Sequence, residues 1–95
     1  MNDLEVCKKV AEIEGVPHTH FKTTPQGHRV LQRYDPLADD ALCFKLMVKH
    51  KVNVDFTVDG YVRVWENGQV SELAVLVEVE KANYAICIAI LRGQL

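Results

Sequence analysis

The segment that most constrains the fold is 51–70, KVNVDFTVDGYVRVWENGQV, in which apolar residues recur at every second position. A period of two sends successive side chains to opposite faces, which describes a strand with one buried face. Val52, Val54, Phe56 and Val58 alternate with Asn53, Asp55 and Thr57. Asp59-Gly60 and Asn67-Gly68 are the pairs that favour two-residue type I′ turns, because both positions tolerate positive φ. Between these pairs Val62 and Val64 share one face, and Tyr61, Arg63 and Trp65 the other. A third alternating run, 72–79, puts Leu73, Val75, Val77 and Val79 on one side. The pattern predicts a three-stranded antiparallel meander.

Helical signals flank the meander. Asn2 and Glu5 have the spacing of a capping box ahead of a helix over 4–14, with Val6, Cys7, Val10, Ala11 and Ile13 as its apolar stripe. Gly15 suits the left-handed residue that closes a helix, and Pro17 follows it. In YDPLADDALCF, Asp35 is a candidate N-cap and Pro36 a first helical residue, so a second helix is expected over 36–50. Asp39 and Asp40 then complement the positive end of the helix dipole rather than form a catalytic pair, because adjacent helical residues diverge by about 100°. The alternating acids, central glycine and closing glutamate of a calcium loop are absent. The last helix is expected over 81–91, KANYAICIAIL, which is apolar all the way round. A helix of that kind is covered on more than one side, by the sheet and another helix or by a second chain.

The second helix carries two apolar stripes. Leu37, Ala41, Phe44 and Val48 form one, and Ala38, Leu42 and Leu46 the other, on nearly the opposite side. One can face the sheet. The other needs a cover from the first helix, the last helix or a partner subunit.

With 95 residues the chain is expected to form a single domain over 1–95, and its 48% apolar and 25% charged residues are ordinary for a globular protein. The net charge of −2 argues against a dedicated DNA-backbone binder. Charge is nevertheless segregated. Residues 17–33 hold Lys22, Arg29, Arg33 and three histidines with no acid, and residues 66–80 hold four glutamates with no base. The opening MNDLEVCKKV lacks a basic n-region and a continuous apolar core, so no signal peptide is expected. The longest apolar run is too short for a membrane span of about 20 residues. The three cysteines, Cys7, Cys43 and Cys87, offer neither a disulfide framework nor a C-x-x-C pair, and read as buried small hydrophobes in a reducing cytoplasm.

Chemistry-bearing motifs are few. Ser71 is the single serine and has no nucleophile-elbow glycines around it, and the five glycines are isolated. No catalytic residue and no cofactor is expected, and the chain reads as non-enzymatic. The long segment 17–29, rich in Pro, Gly and Thr, is expected to be a loop, followed by a short edge strand over 29–33. His18, His20 and His28 on it are weak metal candidates, since an H-x-H pair can chelate, but no cysteine or acid lies nearby to complete a site. As a binding surface, His18, His20, Lys22, His28, Arg29 and Arg33 could meet phosphate or an acidic protein, the more so below about pH 6.5 where histidine gains charge. Tyr61, Arg63 and Trp65 either underlie a helix or form an aromatic-plus-arginine patch of the kind enriched at interfaces. An acidic strip near Glu72, Glu78 and Glu80 could meet a basic groove.

YDPLADDALCFKLMVKH, a short meander and ANYAICIAIL together resemble small phage proteins of the phage ABA sandwich domain family. The matching positions are Tyr34, Pro36, Asp40, Ala41 and Leu42, then Ala85, Ile86, Cys87 and Ala89. The opening LEVCKKVAEIEGV is also similar to the start of many short phage and prophage proteins. These residues set helix starts and packing, so the resemblance implies a fold and an origin, and no catalytic residue transfers from it.

The expected fold is therefore α+β, a three- to four-stranded antiparallel sheet with helices packed on it in an α/β/α sandwich type, in the order α-(β)-α-β-β-β-α. The expected role is that of a phage- or prophage-encoded accessory protein acting in the host cytoplasm. It would bind a host or phage protein and could inhibit a host complex such as a defence system. Nucleic-acid contact through residues 18–33, with Phe21 or Trp65 stacking on bases, is the alternative. A structural homodimer is a third reading.

Overall fold

The structure is a computed structural model that describes residues 1–57, 59–66 and 75–93. Helix α1 spans Asp3–Glu14. Its signals act as expected. The Asn2 side chain accepts from the Glu5 N–H at 2.8 Å. Gly15 ends the helix at φ +68°, a left-handed conformation that costs glycine little. Val6, Cys7, Val10 and Ala11 are buried along one face.

Residues 19–33 form a hairpin. Strand β1 (Thr19–Thr23) pairs antiparallel with β2 (Arg29–Arg33), with Phe21 opposite Leu31 and Lys22 opposite Val30. The expected strand over 29–33 exists, but its partner comes from the segment expected as a loop. The two strands make a sheet of their own, separate from the meander.

Helix α2 spans Asp40–His50 and starts four residues later than the Asp35-Pro36 pair suggests. The local chemistry explains the delay. Asp35 Oδ1 accepts from the N–H groups of Leu37 and Ala38, and its carbonyl accepts from Asp39 N. That makes one capped turn with Pro36 inside it. Asp39 is then extended (φ −100°, ψ 97°) and caps a second time, accepting from Leu42 N at 3.1 Å.

Strands β3 (Asn53–Phe56), β4 (Tyr61–Trp65) and β5 (Val75–Glu78) form the expected meander, in the order β3-β4-β5. Its first turn is not a two-residue type I′ turn. Thr57 N donates to Tyr61 O, three residues lie between them, and of the described ones only Gly60 takes positive φ, at +78°. That is the three-residue connection with a left-handed glycine. Asn67-Gly68 and the expected strand residues Glu72 and Leu73 lie outside the described residues. A 3-10 turn at Val79–Lys81 leads into α3 (Ala82–Arg92).

Helix α3 packs against α1, α2, β4 and β5. It lies between the sheet and the other helices, as its all-round apolar sequence predicts. Ala85, Ile86, Cys87, Ala89 and Ile90 are buried on it, opposite Val62 and Val64 of β4 and Val6, Val10, Cys43 and Leu46 of the other helices. All three cysteines are free and buried. The chain is thus α+β, with helices packed on an antiparallel sheet and one continuous core. No helix among the described residues is long and apolar enough to cross a membrane.

The question of the two stripes on α2 is settled by α3. Cys43 and Leu46 are buried and Leu42 is half-buried in the shared core, so the covering is intramolecular. The Phe44–Val48 stripe is left outside, with Phe44 and Val48 more than half exposed.

Candidate binding hairpin

The hairpin forms because its turn is well specified. Gly27 N donates to Thr24 O at 2.9 Å, Thr24 N donates to His28 O at 2.7 Å, and Gly27 sits at φ +83°. Pro25 occupies the first corner position, where its fixed φ is favourable, and glycine takes the left-handed position that follows. The Thr24 hydroxyl accepts from His28 N at 3.2 Å. The same Thr-x-x-Gly arrangement closes β3 onto β4, where Thr57 Oγ1 donates to Tyr61 O. That repeated pattern is the sequence signal that identifies both turns.

Every residue of β1 and β2 is exposed. The register sorts the side chains into two faces. Thr19, Phe21 and Thr23 stand opposite Arg33, Leu31 and Arg29, so an apolar Phe21–Leu31 pair is flanked by two arginines. The Arg29 guanidinium lies 4.6 Å from the centroid of the Phe21 ring, a cation–π contact. His20, Lys22, Val30 and Gln32 share the second face. Thus Phe21, Lys22, Arg29 and Arg33 are gathered on one arm, with His28 beside its turn.

His18 sits at the base of the arm. Its carbonyl accepts from Tyr34 N at 2.7 Å, and its Nε2 is enclosed with no hydrogen-bond partner among the described residues. His18 lines a cavity of about 270 Å³ with Cys7, Arg33, Tyr34 and Asp35. Cys7 Sγ donates to Asp35 Oδ1 at 3.3 Å. Burial, then that hydrogen bond and the Asp35 charge, push the Cys7 thiol up to about 11. Burial, then the Glu14 charge, push the Tyr34 phenol up to about 12. The hydrogen bond to Cys43, then burial, push the Cys87 thiol up as well. Cys7 and Cys87 are therefore thiols near neutral pH and are not poised as nucleophiles. His20 and His28 are exposed, and no three His, Cys, Asp or Glu side chains gather as a metal site among the described residues.

Tyr61, Arg63 and Trp65 occupy the face of β4 that points away from Val62 and Val64. Tyr61 is exposed, Trp65 is half-buried, and Arg63 donates to Asp55 on the neighbouring strand. Leu76 stands opposite Arg63 on β5 and is 59% exposed, so no helix lies over this part of the face. It is a second surface, on a different sheet from the arm.

No protein-family model, curated protein or solved structure matches the chain. The reading of the site therefore rests on its own chemistry. Phe21 and Leu31 are the residues whose role the sequence leaves hardest to see. The sequence suggests only base stacking for Phe21 and nothing for Leu31, and the register shows them paired on an exposed ribbon.

Proposed function

We propose that the chain is a non-enzymatic binding module whose docking element is the hairpin β1–β2. The observation that carries this reading is that every residue of both strands is exposed although they contain Phe21, Val30 and Leu31. A hairpin that adds nothing to the core and keeps apolar groups in water is costly unless a partner covers it. Its open edges offer unpaired backbone groups to a further strand. Lys22, Arg29 and Arg33, with no acid among them, favour an acidic protein surface.

The similarity to phage ABA sandwich proteins supports a phage or prophage origin, with a host or phage protein as the partner. The same cations and the exposed Phe21 ring support contact with nucleic acid as the second reading, since aromatic stacking beside arginine suits single strands.

Affinity capture with the full chain tests the proposal. The wild type is compared with Phe21→Ser/Leu31→Ser, with His18→Ala/His20→Ala/His28→Ala, and with Phe44→Ser on α2 as a control. The expected result is a partner lost with the Phe21/Leu31 variant and kept with the control. An unchanged partner list in every variant overturns the docking role of the hairpin. Binding of single-stranded DNA or RNA at low salt, lost in the Phe21/Leu31 variant and without a protein partner, replaces it with the nucleic-acid reading.

A further inference from the structure

We infer that the hairpin of one copy docks on the outer face of the β3–β4–β5 sheet of a second copy, giving a reciprocal two-fold dimer. The inference rests on the reading of the hairpin as a docking arm and names a second copy of the chain, in place of a host or phage protein, as what covers it.

Charge and apolar pattern match between the two surfaces. On the arm, Phe21 and Leu31 form an apolar pair flanked by Arg29 and Arg33. On the sheet, Tyr61 stands opposite Glu78 and Arg63 opposite Leu76. Tyr61 and Leu76 are exposed, and the Arg63 charge is already taken by Asp55. Glu78 is exposed and makes no ion pair among the described residues. The receiving face thus presents two exposed apolar groups beside the uncompensated carboxylate of Glu78. Burying apolar area supplies the drive, and the charges select the register.

The other exposed apolar stripe fits less well. Phe44 and Val48 on α2 are accompanied by Lys45 and Lys51, which carry the same sign as the arm. Like charges across an interface disfavour it. Nor does the arm reach its own sheet, because both strands stay exposed within one chain. A two-fold arrangement satisfies arm and face on both copies at once and leaves no open surface for chain growth.

Sedimentation velocity of the full chain from low to high micromolar concentration, at low and high salt, tests the inference. A dimer is expected at low salt, weakened by about tenfold or more at high salt as the ion pairs are screened. Arg29→Glu/Arg33→Glu and Glu78→Arg are each expected to be monomeric. Their mixture is expected to form a heterodimer, because every arm then meets a face of opposite charge. Circular dichroism confirms that both variants fold, since all three positions are exposed. A wild type that stays monomeric throughout overturns the inference, and so does a dimer that persists in either variant alone. A monomer that still captures its partner through Phe21 and Leu31 removes the dimer and leaves the docking arm standing. A monomer that captures nothing removes both.

Discussion

Glu14 Oε2, at the end of α1, lies 2.9 Å from Nε2 of His50, at the end of α2. Lys49 Nζ reaches the other oxygen of the same carboxylate, also at 2.9 Å. The Glu14 side chain is only 11% exposed. Both helices pack on α3, and this carboxylate ties their C-terminal ends to each other.

The pair sets a pH dependence. Burial raises the Glu14 carboxyl, but the hydrogen bonds from Lys49 and His50, with their charges, more than offset it and hold the group below the usual carboxylate range. A group with a depressed folded value stabilises the fold above its unfolded value, about 4.3 for glutamate, and that contribution is lost as pH falls through the folded value. Urea midpoints are expected to fall more steeply below about pH 5 for the wild type than for Glu14→Gln. At neutral pH, Glu14→Gln is expected to cost about 1 kcal/mol, modest because Lys49 is largely solvated. Parallel pH curves for the two proteins would contradict this account.

The two caps before α2 are unequal. Asp39 accepts one backbone N–H, so Asp39→Ala is expected to cost about 1 kcal/mol. Asp35 accepts two backbone N–H groups and the Cys7 thiol. Asp35→Ala is expected to cost more, about 2 kcal/mol, since it leaves Leu37 N and the Cys7 thiol without their acceptor and Ala38 N with only the Asp35 carbonyl. Chemical denaturation gives the order directly, and the reverse order would show that the first turn contributes little.

Core and arm are expected to separate in stability measurements. Ile90 is 2% exposed between the sheet and the other helices, and Ile90→Ala should cost about 2–5 kcal/mol. Phe21 is 60% exposed and Leu31 55%. Phe21→Ser and Leu31→Ser should each stay within about 0.5 kcal/mol of the wild type. Thermal unfolding followed by circular dichroism measures both. A large loss at Phe21 would mean that the hairpin belongs to the cooperative core.

Thiol chemistry gives a fourth test. Cys7, Cys43 and Cys87 are all buried, which shields them whatever their titration: burial pushes the Cys7 thiol up to about 11, while the hydrogen bond with Cys87 pulls the Cys43 thiol down. Alkylation at neutral pH should therefore proceed at the rate of unfolding rather than at that of a free thiol. Rapid labelling of any one cysteine in the absence of denaturant would show local opening around it.

The helix ends and the meander were legible because their signals are local. Asn2 and Gly15 bound α1 by hydrogen bonds and backbone geometry within a few residues. Alternation from Val52 to Val64 specifies strands through the period of the backbone itself. The hairpin was harder to read. Its strands present no core face, so THFKT and RVLQR lack the alternation that marks a half-buried strand, and only the Thr-x-x-Gly turn speaks for it. The start of α2 was misplaced because Asp35 and Asp39 are both competent caps, and local chemistry does not rank them.

By itself the sequence determined the three helices, the meander, the caps of α1 and the segregation of basic residues 17–33 from acidic residues 66–80. Tertiary structure decided which apolar residues those elements bury. Leu46 lies in the core and Phe44 in water because α3 occupies one side of α2, and nothing within α2 distinguishes the two. Phe21 is exposed for a related reason: its hairpin pairs with itself and joins no other sheet. Burial depends on what else is near, a long-range property that a local pattern of side chains does not carry.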